Sequence, residues 1–124
     1  MNSLIAAFFT WSSAVGIGAT FTPLDQAGNA WKYAVAPYDG VIEIIHRATL
    51  VSLLVTITAG SDEIQQESPV SAGGTIGILT GRLNVEPVTF TVKAGDLIQL
   101  RYRNTNAGAN QVDGSIELTR RAGA

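Results

Sequence analysis

The fold is decided by the stretch Val88-Thr89-Phe90-Thr91-Val92-Lys93-Ala94-Gly95-Asp96-Leu97-Ile98-Gln99-Leu100-Arg101-Tyr102. On both sides of Ala94-Gly95-Asp96, apolar residues alternate with polar ones, and a period of two is the pattern of a half-buried β-strand. Gly and Asp are favoured in tight turns because they tolerate the backbone angles that such turns need. The stretch therefore predicts two strands joined by a tight turn.

Outward from this stretch, the same signals recur at short intervals. Alternating or β-branched runs predict strands at about 13–22, 31–35, 75–80 and 116–118, with turns rich in Gly, Pro, Asn and Asp between them. The run 41–59 has no Gly or Pro and is long enough for a helix, but its β-branched content favours two strands with a bend near Arg47. The polar segments 63–68 and 104–114 are interpreted as loops. The pattern predicts an all-β protein, an antiparallel β-sandwich of about eight strands.

Composition limits the classes of function. The 124 residues suit a single domain, and 15 % of them are charged, against about 25 % in an ordinary soluble domain. Cysteine is absent, which excludes disulfides and thiolate metal sites, and the single histidine excludes any two-histidine motif. The net charge of −2 argues against a dedicated nucleic-acid-binding protein.

The first 24 residues carry no charge, since the first charged residue is Asp25. A secretory signal would need a positive N-terminal region, and a membrane-spanning helix would need about 20 predominantly apolar residues. Polar and small residues interrupt this segment, so a membrane segment is the less favoured alternative. We predict an apolar N-terminal arm at 1–12, followed by one domain at 13–124.

Catalytic and metal-binding motifs are weak. His46 is the one candidate general base near neutral pH, but a histidine hydrogen-bonded within a strand or an interface is the favoured interpretation. Asp62, Glu63 and Glu67 cluster in sequence and could serve as the paired carboxylates of a glycosidase or as Ca²⁺ ligands, although solvated charges are the favoured interpretation. Asp113 with the Asn-rich loop is another Ca²⁺ option, and neither set matches an EF-hand spacing. The Gly-rich segment 71–77 lacks the Lys-Ser/Thr and the helix of a phosphate loop. We therefore expect no enzyme activity, no cofactor and no metal.

Five arginines near strand ends raise a separate possibility, a basic face that meets nucleic acid weakly and without sequence specificity. The alternative, a solvated sheet face whose arginines pair with carboxylates such as Glu117, is favoured. The arginines are Arg82, Arg101, Arg103, Arg120 and Arg121.

The stretch 88–102, followed by Gly114-Ser115-Ile116-Glu117-Leu118, resembles the penultimate hairpin and last strand of jelly-roll domains. The resemblance covers about residues 40–120 and is shared by two groups. One comprises the single jelly-roll structural proteins of non-enveloped phages and viruses. The other comprises trimeric domains such as the complement globular head and tumour necrosis factor. The uncharged segment 1–12 is similar to the arms with which coat subunits hold their neighbours, which favours the first group. A basic N-terminal arm, carried by many genome-packaging coats, is lacking, so a penton, spike or decoration role stays open.

The resemblance implies a self-assembling capsid protein of a virus, with a bacteriophage as the leading hypothesis. Such a protein would be found in the virion after assembly in the host cytoplasm, with copies of itself and other virion proteins as partners. Contacts between subunits would come from the strand-end loops and from the arm residues Leu4, Ile5, Phe8, Phe9 and Trp11.

The alternative is an oligomeric recognition domain, complement-head-like or lectin-like, that binds a glycan or receptor. Its binding loop would be 104–114, with the candidate residues Asn104, Asn106, Asn110 and Asp113.

Overall fold

The computed structural model describes residues 5–25, 35–72 and 87–120. These residues form eight β-strands and one short 3₁₀ turn, Pro23–Asp25. The strands are β1 (Ile5–Val15), β2 (Thr20–Phe21), β3 (Gly40–Ala48), β4 (Leu53–Ala59), β5 (Asp62–Pro69), β6 (Val88–Val92), β7 (Ile98–Asn104) and β8 (Asn110–Arg120). The prediction of an all-β protein is confirmed.

The strands lie in two four-stranded antiparallel sheets. Sheet A has the order β1-β8-β3-β6, and sheet B has the order β2-β7-β4-β5. Four of the antiparallel pairs, β1 with β8, β2 with β7, β3 with β6 and β4 with β5, are those of one long hairpin whose tip is the β4–β5 turn. Rolling that hairpin adds the pairs β3–β8 and β4–β7 and closes each sheet. This order is the jelly-roll arrangement of a β-sandwich.

The core lies between the two sheets and is built by alternation. In β4 and β7 nearly every second side chain is buried, and the residues between them face solvent or are half-buried. Each fully buried aliphatic side chain contributes about 1.5–3 kcal/mol relative to exposure. The largest fully buried side chains are Tyr102, Ile42, Ile44, Leu53, Ile57, Ile98, Leu100, Ile116 and Leu118.

The stretch 88–102 forms two strands and a turn, as predicted, but the strands do not form a hairpin. β6 pairs with β3 in sheet A, whereas β7 pairs with β4 and β2 in sheet B. Gly95 adopts a φ of 93° in the turn, and the Asp96 N–H donates to the Lys93 carbonyl at 3.0 Å. Alternation identifies a strand and its buried face but not its pairing partner. The turn therefore carries the chain from one sheet to the other.

The expected arm at 1–12 is a strand of the sandwich over its described part. β1 pairs with β8 from Ile5 to Val15, and Trp11 is only 7 % exposed. Side chains alternate between the core and the outer face from residue 8 to residue 15. Because Phe8 is apolar although it lies on the outer face, the sequence of this segment resembles a continuous apolar run. The segment 13–22 is not one strand as predicted. β1 ends at Val15, a turn with Gly18 at φ 69° follows, and β2 begins at Thr20.

Three other boundaries differ from the prediction. The run 41–59 is two strands, but the break falls at 49–52, where Ser52 has a φ of 69°, rather than at Arg47. The polar segment 63–68 lies within the edge strand β5, whose polar side chains face solvent. The predicted loop 104–114 is shorter, since β8 begins at Asn110. The predicted strands at 31–35 and 75–80 fall outside the described residues, except that Val35 bridges Leu97.

Candidate functional site: an uncharged loop end

Three loops meet at one end of the sandwich, because β1, β3 and β7 all finish there. They are the β1–β2 loop (16–19), the β3–β4 loop (49–52) and the β7–β8 loop (105–109). Backbone hydrogen bonds join them: Gly18 N–H donates to the Asn104 carbonyl at 3.2 Å, and Thr105 N–H donates to the Ser52 carbonyl at 2.9 Å. We call these three segments together the loop end.

The buried side chain of Asn104 holds two of these loops by hydrogen bonds to their backbone. Its side chain is fully buried, and its Nδ2 donates to the carbonyls of Val15 at 3.0 Å and Gly108 at 2.9 Å. Its Oδ1 accepts the backbone N–H of Asn106 at 2.9 Å. A buried amide whose donor and acceptor are both satisfied stabilises the surrounding backbone, because its internal hydrogen bonds offset the cost of desolvation.

Asn110 and Asn106 hold the third loop. Asn110, which is 1 % exposed, accepts the Leu50 N–H with Oδ1 and donates from Nδ2 to the Leu50 carbonyl, both at 2.9 Å, as a neighbouring strand would. Asn106 donates to the Val51 carbonyl at 3.0 Å. These asparagines form hydrogen bonds within the protein, and Asn104 and Asn110 are buried, which disfavours the expectation that they contact a glycan.

The loop end presents apolar side chains to solvent. Ile17 is 68 % exposed, Val51 is 65 % exposed and Leu50 is 45 % exposed. No charged residue occurs in 16–19, 49–52 or 105–109. Apolar side chains clustered on an exposed surface mark an interaction site more often than isolated ones do. Sequence analysis missed these three residues because alternation placed Ile17 on a buried face and β-branched content placed Leu50 and Val51 in strands. The absence of charge across the three loops is the signal that could have found them.

The residues predicted for arm contacts lie in different environments. Phe8 is 56 % exposed on β1, whereas Phe9 is half-buried against the core and Trp11 is buried within it. Ile5 belongs to β1 by its backbone, and Leu4 lies outside the described residues. Of Phe8, Phe9 and Trp11, Phe8 is the most exposed and therefore the most available to a neighbour.

The arginines do not share one face. Arg101 and Arg103 project from β7 in sheet B, while Arg120 ends β8 in sheet A, with its guanidinium 5.3 Å from the centre of the Tyr38 ring. Arg103 forms a two-pronged ion pair with Glu67 at 2.8 and 2.6 Å, and this hydrogen bonding lowers the pKa of the Glu67 carboxyl. Arg82 and Arg121 lie outside the described residues. The hypothesis of a single basic face is corrected for the arginines that the structure describes.

His46 lies between the sheets, not at the surface. It is 6 % exposed, and its Nδ1 lies 2.7 Å from the hydroxyl of Tyr102, whose ring it meets edge-on. Burial lowers the pKa of His46 to about 4 and raises that of Tyr102. Trp11 packs over Gly114, the residue opposite His46 on β8, and its indole N–H is buried without a hydrogen-bond partner among the described residues. The cluster links the two sheets through aromatic packing and one hydrogen bond.

The acidic residues are dispersed. Asp62 and Glu63 are exposed at the start of β5, Glu67 pairs with Arg103, and Asp113 accepts hydrogen bonds from Ser12 and Gln111. Asp113 lies in β8 and is 4 % exposed, which disfavours its predicted role in a recognition loop.

Within 5–25, 35–72 and 87–120, no three His, Asp or Glu side chains are grouped to hold a metal ion. In the same ranges no helix has the length and apolar character to span a membrane. Most of the Gly-rich segment 71–77 falls outside the described residues.

Fold and surface together define a jelly-roll β-sandwich with a rigid, uncharged loop end. Comparisons with protein-family models, with curated proteins and with solved structures found no match.

Proposed function

We propose that this chain is a non-catalytic structural protein of a virus, a bacteriophage capsid subunit, whose copies pack together through the loop end. The observation that carries the proposal is the exposure of Ile17, Leu50 and Val51 on three loops that contain no charged residue. Burying these side chains between copies gains hydrophobic free energy, and the loops themselves bring no ion that has to be desolvated.

Rigidity supports the same role. The buried amides of Asn104 and Asn110 hold the three loops in the free subunit, so association need not order them. Preorganised surfaces lose less conformational entropy on binding, which raises affinity for a given buried area. Phe8, exposed on the edge strand β1, offers a second apolar contact for a neighbouring copy.

In this proposal the partners are copies of the chain and other virion proteins, and assembly takes place in the host cytoplasm. Nucleic acid is at most a weak partner, because Arg103 is paired with Glu67 and the net charge is −2.

The test is the assembly state of the full chain and of a charged variant. We expect the wild type to form large oligomers or particles in light scattering and negative-stain microscopy. Val51→Lys places a charge on the loop end and should give a monomer of 13.0 kDa with unchanged circular dichroism. The matched control is Leu97→Lys, a residue 44 % exposed at the opposite end of β7, which should leave assembly intact.

Two results would contradict the proposal. A wild-type chain that stays monomeric at high concentration would remove self-assembly altogether. Dissociation by Leu97→Lys, with Val51→Lys still assembled, would place the contact at the other end of the sandwich and overturn the role of the loop end.

A further inference from the structure

The outer face of sheet B carries a shallow groove of about 310 Å³, away from the loop end. Its lining residues are Thr22, Thr56, Thr58, Gln99, Leu100 and Arg101. Thr56 stands opposite Arg101 and Thr58 opposite Gln99 in the β4–β7 register, so adjacent strands supply the polar side chains in pairs. This volume lies at the lower end of the range for small-molecule sites, which suits a single ring better than a chain of rings.

The two arginines of β7, Arg101 and Arg103, differ in their ion pairing. Arg103 is held by both carboxylate oxygens of Glu67. Arg101, two residues earlier on the same face, is exposed and forms no ion pair within 4.0 Å among the described residues, and its charge contributes less than that of Arg103 to lowering the pKa of the Glu67 carboxyl. Among the described residues that line the groove there is no carboxylate. The described part of the groove therefore presents the Arg101 guanidinium, which favours an anion that offers a carboxylate for a two-pronged contact.

The neutral groups beside Arg101 suit hydroxyls on the same ligand. Thr58 donates its hydroxyl to the Gln99 Oε1 at 3.3 Å, which leaves the Gln99 amide hydrogens available as donors. The Thr56 hydroxyl can donate or accept beside the guanidinium. A ligand that fits must combine one negative charge with several hydroxyl groups.

We propose that this groove binds a carboxylated monosaccharide, with the carboxylate on Arg101 and the ring hydroxyls on Thr56 and Gln99. The site is separate from the loop end and does not depend on assembly. It places glycan recognition on sheet B rather than on the loop 105–109.

Equilibrium dialysis of the full chain tests the site, because the method works for monomers and assemblies alike. The probes are glucuronate, glucose as the uncharged analogue and acetate as the anion without hydroxyls. We expect saturable glucuronate binding, with glucose and acetate each at least about tenfold weaker, since a hydrogen bond to a charged group is worth about a factor of ten or more in affinity.

Variants assign the binding to named residues. Arg101→Gln should weaken glucuronate binding about tenfold or more, and Thr56→Val should weaken it less. Arg120→Gln, which removes an exposed arginine from the other sheet, is the matched control and should bind as the wild type does. The proposal is overturned if glucuronate shows no saturable binding, if acetate binds equally well, or if Arg101→Gln binds like the wild type. A loss of self-assembly leaves these outcomes unchanged, so the two proposals fail separately.

Discussion

At the scale of single residues, His46 makes the core sensitive to acid. Its pKa is about 4 in the folded protein and near 6.5 when unfolded, because burial disfavours the imidazolium. Between these values the unfolded chain binds a proton that the folded chain does not. The free energy of unfolding should therefore fall as the pH drops from about 6.5 to about 4, by up to about 3 kcal/mol.

Urea denaturation at a series of pH values measures this loss. His46→Gln, which keeps a hydrogen-bonding partner for the Tyr102 hydroxyl, should remove this part of the pH dependence and leave the contribution of the carboxylates. An unchanged slope between pH 6.5 and 4 in the variant would show that His46 is not the cause.

Gly114 is required by its neighbour Trp11. A Cβ at position 114 would lie 2.6 Å from the indole ring, which is closer than packed atoms can approach. Gly114→Ala should therefore cost about 1–3 kcal/mol by forcing the ring to move. Gly108→Ala is the control, since its Cβ would meet nothing nearer than the Asn106 Oδ1 at 3.8 Å. The midpoints of urea denaturation compare the two, and equal midpoints would rule out a tight contact at Gly114.

Single residues were also where sequence analysis succeeded and failed most clearly. The favoured interpretation of His46 was a hydrogen-bonded histidine in a strand or interface, and the structure places it in β3 with the Tyr102 hydroxyl as its hydrogen-bond partner. The roles of Asn104 and Asn110 were not predictable. Asparagine is typical of turns, and only the meeting of three distant loops shows that these amides are buried partners of the backbone.

At the scale of elements, the position of β1 distinguishes two interpretations of the N-terminal segment, an arm outside the domain and a strand of the sandwich. If residues 1–12 were an arm, their deletion would abolish assembly and preserve the fold. The structure places Ile5–Val15 in sheet A and Trp11 in the core. Deletion of 1–12 should therefore remove most of an edge strand and a large buried side chain, and unfold the domain.

Circular dichroism and thermal melting measure the effect of this deletion. Phe8→Lys changes an outward-facing side chain of the same strand, so it should keep the wild-type circular dichroism spectrum and a cooperative melting transition, whereas the deletion loses both. If the truncated chain kept the wild-type melting transition, residues 1–12 would be an arm and not a required strand.

At the scale of the whole molecule, assembly and stability should be linked. If folded copies associate through the loop end, mass action stabilises the native state and the melting temperature rises with protein concentration. Val51→Lys should melt at a temperature that does not depend on concentration, with Leu97→Lys as the control. If the melting temperatures of the wild type and of Val51→Lys were both independent of protein concentration, association of the native chain would be contradicted.

The sequence by itself determined that the protein is an all-β sandwich, because period-two alternation and frequent turn residues are local properties of the chain. Strand pairing is a contact between distant segments, so alternation did not predict that β6 and β7 belong to different sheets. Nor did it predict that the apolar segment at 5–15 completes sheet A beside β8. The loop end and the groove on sheet B exist only after the hairpin is rolled, because rolling brings side chains from distant strands together on one surface.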